Sequence, residues 1–224
     1  MKKAMLALLF FLTVVSFLAE GQETFPLPPP GRPGAVSVEE ALDSRKSVRR
    51  FKSDALELHE VSRLLWAVRG RGFDGITRAT RSYPSAGGIY PLTVYLVAGD
   101  VRGLDPGVYR YVEKSHALEL VGRGDRRMPL AEAALGQLFI AGAPAVVVIA
   151  AEYARTARKY GSRGSERYVP LDAGHAAQSL HLQAVALGLS SVPVGAFRDA
   201  QVKDTLGLRN EEPLLIVPVG RPHD

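Results

Sequence analysis

Beyond the first 21 residues, two almost unbroken apolar runs, Leu92 to Ala98 and Ala145 to Ala150, stand out among hydrophobic positions that recur mostly at helical spacing. Both are rich in β-branched residues, and Pro144 begins the second where a missing N–H does least harm, so both predict strands buried on two faces. Leu58, Val61, Leu64, Leu65 and Val68 fall on one helical face, with Gly70 as the stop. Ser37 and Glu40 form a capping box that predicts a short helix through Leu42. Further helices are expected over Leu130 to Ile140, Leu171 to Leu187 closed by Gly188, and Gln201 to Leu206, with Asp199 as a cap. Gly107 to Tyr111 and His116 to Val121 read as a hairpin joined through Glu113 to Ser115, and Ser191 to Val194 and Leu214 to Val219 as strands. Arg69 to Arg81 has charge and glycine but no period, which predicts an exposed loop. Strands and helices that alternate irregularly around an evident hairpin give an α+β class.

The first residues obey a different rule. Met1-Lys2-Lys3, the uncharged run Ala4 to Ala19 and the small residues of Ala19-Glu20-Gly21 read as a secretory signal over residues 1–21, hence an exported protein, periplasmic or secreted. The alternative is a membrane anchor formed by residues 4–19, although 16 residues fall short of the roughly 20 that span a bilayer. Residues 22–36 are Pro/Gly-rich and predict a polyproline II tether, which leaves one folded domain over 37–222.

Composition narrows the chemistry. The chain has 224 residues, 46% hydrophobic and 23% charged, as one globular domain requires. It has no cysteine, which excludes disulfides, thiolate nucleophiles and cysteine metal sites. Its net charge is +5, or +4 without Lys2, Lys3 and Glu20. That excess suits an anionic small molecule and is too scattered for nucleic acid. Arg123 to Arg127 reads as solvated loop charge.

The other basic cluster carries more. Arg45, Lys46, Ser47 and Arg49 put three cations and a hydroxyl within five residues, a donor set suited to a phosphate. In Ser85-Ala-Gly-Gly-Ile-Tyr-Pro the glycines allow a backbone to approach a flat ring. Pro193-Val-Gly-Ala-Phe ends a strand where a backbone N–H can be presented. Asp172, His175 and Gln178 share a helix face, but no third strong ligand lies nearby. No metal is expected there; His175 reads as a buried histidine satisfied by a backbone carbonyl, and His181 points elsewhere. Ala173, Ala176, Ala177 and Ala184 make this helix small-sided, open to close approach by a second helix or a cofactor. The pair Lys159-Tyr160, followed by Gly161-Ser-Arg-Gly, is unremarkable by itself.

The order and spacing of RKSVRRF at Arg45 to Phe51, SAGGIYP at Ser85 to Pro91 and the stretch Lys159 to Phe197 resemble the flavin-dependent nitroreductase superfamily. Within it they are most similar to the azoline-oxidising, SagB-type dehydrogenase branch, over roughly Ser37 to Pro222. The resemblance implies a three-layer α/β/α sandwich with a mostly antiparallel central sheet, and a homodimer holding FMN between protomers, with the long helix at its centre. It implies that Arg45, Lys46, Ser47, Arg49 and Arg221 grip the phosphate and ribityl chain; Lys46 stands where Arg or His is more usual. Pro84, Ser85, Ala86, Gly87 and Gly88 then line the flavin pocket, with Ser85 as side-chain donor. Val194, Gly195 and Ala196 match the segment that offers an N–H to flavin N5, Gly195 foremost. Lys159 becomes the general base and Tyr160 its partner, with Arg158 and Arg163 as the cationic neighbours that lower a lysine pKa. The implied activity is nitro or quinone reduction, with NAD(P)H as candidate electron donor, or azoline-type dehydrogenation of a small molecule or peptide. An exported flavin-binding protein without turnover, and an anion-binding module without flavin, remain the alternatives.

Overall fold

The computed structural model describes residues 22–31, 34–72 and 80–223; the expected signal or anchor lies outside them. The two apolar runs are neighbours at the centre of one sheet. Strand β4 (Leu92–Ala98) pairs antiparallel with β7 (Ala145–Ala151), from Leu92 opposite Ala151 to Ala98 opposite Ala145. Around them lie β1 (Thr24–Pro26), β5 (Gly107–Val112), β6 (Ala117–Arg123), β8 (Ser190–Ser191) and β9 (Glu212–Gly220), in the order β1-β6-β5-β4-β7-β9-β8. Every pairing in this sheet is antiparallel. Strands β2 (Arg71–Gly72) and β3 (Thr80–Arg81) form a separate two-stranded ladder.

Alternation of side chains builds the layers. Leu92, Val94, Leu96 and Ala98 of β4, with Ala145, Val147 and Ile149 of β7, share one core with helices α2 (Leu58–Arg69) and α5 (Val169–Ala186). Tyr95, Val97, Val146, Val148 and Ala150 point the other way, into a second core with α3 (Arg127–Ala133) and α6 (Asp199–Leu206). Helices on both faces of an antiparallel sheet make the three-layer sandwich that the resemblance implied. Helices α1 (Val38–Ser44) and α4 (Tyr153–Tyr160) complete the set. The capping box at Ser37 and Glu40 is formed, with both reciprocal bonds present.

Several expectations need correction. The Pro-rich stretch is not a free tether: Thr24–Pro26 pairs with β6, Leu27 is buried, and the Phe25 ring meets Tyr109 edge-on at 5.6 Å. The helix expected over Leu130 to Ile140 begins earlier and ends at Ala133, because Leu135 and Gly136 turn left-handed at φ 59° and 75°. Asp199 is the first residue of α6, not its cap; that place belongs to Arg198, whose side chain makes no capping bond. Arg127 is no solvated charge: it pairs with Asp125 and donates Nη1 to the Ala143 carbonyl at 2.7 Å. The stretch from Arg69 to Arg81 begins buried, since Arg69 and Arg81 both pair with Glu113 of the hairpin turn; residues 73–79 lie outside the described residues. Burial alone raises the Glu113 carboxyl, but the two guanidinium groups hold it below the usual range. The small face of α5 is spent within the protomer, buried against α2 and the sheet, so subunit packing is not what its alanines serve.

Candidate active site

The cationic loop leaves α1 in extended backbone and is stitched to the sheet edge. Ser47 bridges Ser191, and the Val48 N–H donates to the Ser191 carbonyl at 3.2 Å. Arg45 is half-buried; Lys46, Ser47 and Arg49 are exposed. Among the described residues no carboxylate forms an ion pair with Arg45, Lys46 or Arg49. Ser191 pairs with Val219 and Val194 with Ile216, so the loop and the Val194 segment sit about 10 Å apart along β9. The turn between α3 and β7 joins them more closely. Arg49 lies over the Phe139 ring at 5.9 Å, and Gln137 Nε2 donates to the Ala196 carbonyl at 3.0 Å. Gly195 is exposed with nothing within 4 Å of a built Cβ, which leaves its face open to a ligand.

Arg221 is close by backbone and occupied by side chain. Its carbonyl accepts from Lys52 N–H at 2.9 Å, beside the Phe51–Pro222 bridge. Its Nη2, however, donates to buried Glu60 at 2.9 Å, and Nη1 is buried without a partner. Glu60 therefore already neutralises the cation expected at the phosphate.

Histidine assignments are reversed. His175 is exposed, on the outward face of α5. His181 is the buried one: its Nδ1 lies 2.7 Å from Ser191 Oγ, and Nε2 has no partner. Burial, and then the nearby Arg45 charge, push its pKa down to about 4. It is therefore neutral at pH 7. Its place on the buried stripe Ala173, Ala177, Leu180, Ala184 was the signal in the sequence.

The glycine turn and the Lys-Tyr pair form a second cluster. Ala86–Gly88 is a 3-10 turn with Gly87 and Gly88 at φ 61° and 67°. A Cβ on Gly87 lands 2.5 Å from Tyr160 Oη and 2.8 Å from Lys159 Nζ. The pair thus rests on that glycine, although 72 residues separate them in sequence. Helix α4 ends there because Gly161 turns to φ 59°. A π-helical turn, Gly164–Tyr168, then brings the Tyr168 ring edge-on to Tyr160 at 5.0 Å. Lys159 is exposed and Tyr160 half-buried. Beside them opens a cleft of about 280 Å³ lined by Pro84, Ser85, Ala86, Tyr168, Leu171 and Asp172, among others.

Ser85 spends its hydroxyl inside the protein. It donates to buried Asp172 and accepts from the Tyr90 N–H at 2.9 Å, while the other Asp172 oxygen accepts from Ala86 N–H at 3.4 Å. Burial pushes the Asp172 carboxyl up, against the downward pull of those two bonds. Asp172 and His181 are nine residues apart on α5, about 14 Å along its axis, so one helix carries both clusters at different heights.

A profile of the Nitroreductase family matches residues 42–221. The chain belongs to that family. Membership supports an oxidoreductase role. A protein of Methanocaldococcus jannaschii named as a nitroreductase is 44% identical over 190 residues, 83% of this chain and 91% of that protein. Trifolitoxin operon protein TfxC of Rhizobium leguminosarum bv. trifolii is 25% identical over 198 residues; the match covers 83% of this chain and 56% of TfxC. A crystal structure named as a nitroreductase from Ralstonia eutropha superposes with TM-score 0.78 at 28% identity, over 92% of this chain and 93% of that one.

Proposed function

We propose that this nitroreductase-family chain is an FMN-dependent oxidoreductase working through hydride transfer, as a homodimer with flavin at the subunit interface. The observation that carries the reading is the loop Arg45 to Arg49, whose three named cations lack carboxylate partners among the described residues and which is tied through Ser191, Phe139 and Gln137 to the open Gly195. That donor set fits a phosphate, and an uncovered glycine backbone fits the edge of a flat ring. FMN, when bound, supplies a hydride acceptor at N5. Arg45, Lys46 and Arg49 with the Ser47 hydroxyl hold its phosphate. Arg221 supports this loop through its backbone, its charge being matched by Glu60. The Gly195 N–H, flanked by Val194 and Ala196, donates to N5. Pro84 to Gly88 give shape and backbone and no free hydroxyl, since the Ser85 proton goes to Asp172.

Lys159 and Tyr160 favour the azoline-oxidising reading over plain nitro or quinone reduction by NAD(P)H. An amine and a phenol held together on a glycine turn suit removal of a ring-carbon proton, a step that reduction of a nitro group does not contain. Likeness to a protein of the trifolitoxin operon supports the same branch, with a small-molecule or peptide substrate. Exposed Val38, Leu42, Leu138 and Leu171 supply apolar surface for a partner copy. Residues 1–21 act as an export signal ahead of a catalytic domain over 37–222.

The test is an absorbance spectrum of the purified protein, followed by anaerobic mixing with a thiazoline peptide or NADH. Flavin bands, release of FMN on denaturation and bleaching by the thiazoline are expected. Protein that stays colourless and takes up no added FMN refutes the reading. Flavin that no donor reduces makes the chain a binding protein without turnover. Lys159→Ala keeps FMN and loses thiazoline oxidation; undiminished turnover removes Lys159 from the mechanism.

A further inference from the structure

We infer that Asp172 is a positioning residue for the flavin-facing turn, holding Ser85 to Tyr90 in the one shape that lays Gly87 against Lys159 and Tyr160. The inference rests on the FMN reading above. Asp172 is 4% exposed and comes from the first turn of the long helix, more than eighty residues beyond the turn it holds. Its two oxygens take separate tasks. Oδ1 accepts the Ala86 N–H at the start of the turn. Oδ2 accepts the Ser85 hydroxyl, and Ser85 Oγ accepts the Tyr90 N–H at its end. One carboxylate thus fixes both ends of a six-residue loop.

That loop needs holding. It contains Gly87, Gly88 and Tyr90 at φ 61°, 67° and 52°, and a tyrosine in the left-handed region costs about 1–2 kcal/mol. The Tyr90 ring is also clamped, edge-on to Tyr83 at 5.5 Å and under the Arg81 guanidinium at 4.9 Å. With both ends pinned, the glycines at its apex have one position, and Gly87 meets Lys159 Nζ and Tyr160 Oη there. No cation forms an ion pair with Asp172 among the described residues, so its charge is carried by these hydrogen bonds, with a smaller pull from His175. A buried carboxylate so arranged is costly unless the bonds do something a neutral side chain cannot. An asparagine keeps the size and the bond to Ala86 but presents an NH₂ to Ser85 and reverses the relay.

The experiment titrates FMN and riboflavin into the flavin-free full chain, following flavin fluorescence, for wild type, Asp172→Asn, Ser85→Ala and the double variant, with a thermal melt of each. Riboflavin lacks the phosphate, so it reads the ring end of the site alone. Asp172→Asn should weaken FMN and riboflavin by the same factor, roughly tenfold, the worth of one charge-assisted hydrogen bond. Arg49→Ala should weaken FMN only. If Asp172→Asn does not fold, Ser85→Ala cuts the same relay and must lose both flavins alike. The double variant should be no worse than the poorer single one. Unchanged binding in both single variants, a loss confined to FMN, or losses that multiply in the double variant would each overturn the inference while leaving the FMN reading standing. Wild type that binds neither flavin overturns both.

Discussion

Gly87→Ala and Gly88→Ala are one chemical change made on adjacent residues in nearly the same conformation, φ 61° and 67°. Each forces an L side chain into the left-handed region, at about 1 kcal/mol. In a chain of this length that lowers the melting temperature by about 2–4 °C in both variants. Their surroundings differ. The Cβ at 88 meets nothing within 4 Å, whereas the Cβ at 87 falls 2.5 Å from Tyr160 Oη and 2.8 Å from Lys159 Nζ. Relief to ordinary contact requires those tips to move by about 1 Å, and both end flexible side chains that can do so. A base works about 2.6–3.2 Å from the heavy atom whose proton it takes, so a displacement of this size costs on the order of 10²-fold in rate. The assay is the rate of flavin reduction by a thiazoline peptide under anaerobic conditions, beside thermal melts of both variants. Equal melting temperatures with a hundredfold slower Gly87→Ala are expected. Equal rates in the two variants would show that the Lys-Tyr pair does not work from the glycine turn.

The remaining expectations concern stability and assembly. His181 takes a proton in the folded state only near pH 4, against about 6.5 when unfolded, so stability is full above pH 6.5 and falls through the window down to about pH 4. The His181 share of the loss amounts to about 3 kcal/mol; urea melts at pH 7.5 and 4.5 check it, and His181→Gln should make the slope shallower, leaving what His116 contributes. Leu27→Ala should cost about 2–3 kcal/mol by chemical denaturation, because the Pro-rich arm is part of the core; a neutral result restores the tether. Glutamates at Val38 and Leu42 should convert a dimer to monomers in light scattering without unfolding the chain; an unchanged mass moves the interface elsewhere.

Strands β4, β7 and β9 and helices α1, α2 and α5 were legible because burial on both sides, capping and helical spacing leave direct marks on sequence. The alternation that splits Leu92 and Val94 from Tyr95 and Val97 was hidden, since a strand buried on two faces is apolar throughout. The break at Leu135 was missed because nothing in Ala133-Ala134-Leu135 forbids a helix; only Gly136 hints at it. Of the site, the phosphate-like loop and the glycine turn were readable as local chemistry. Partners across the chain were not. Glu60 for Arg221, Asp172 for Ser85 and Gln137 for Ala196 are long-range pairings that spacing cannot reveal. His175 looked like the buried histidine because small residues, Gly174 and Ala176, flank it. The helical stripe assigns that place to His181, six residues on.

The measurement that bears most directly on the account is a crystal structure of the protein soaked with FMN. The phosphate is expected against Arg45, Lys46 and Arg49, with flavin N5 within hydrogen-bonding distance of the Gly195 amide. Flavin seated elsewhere, or those cations turned to solvent while FMN is bound, contradicts it.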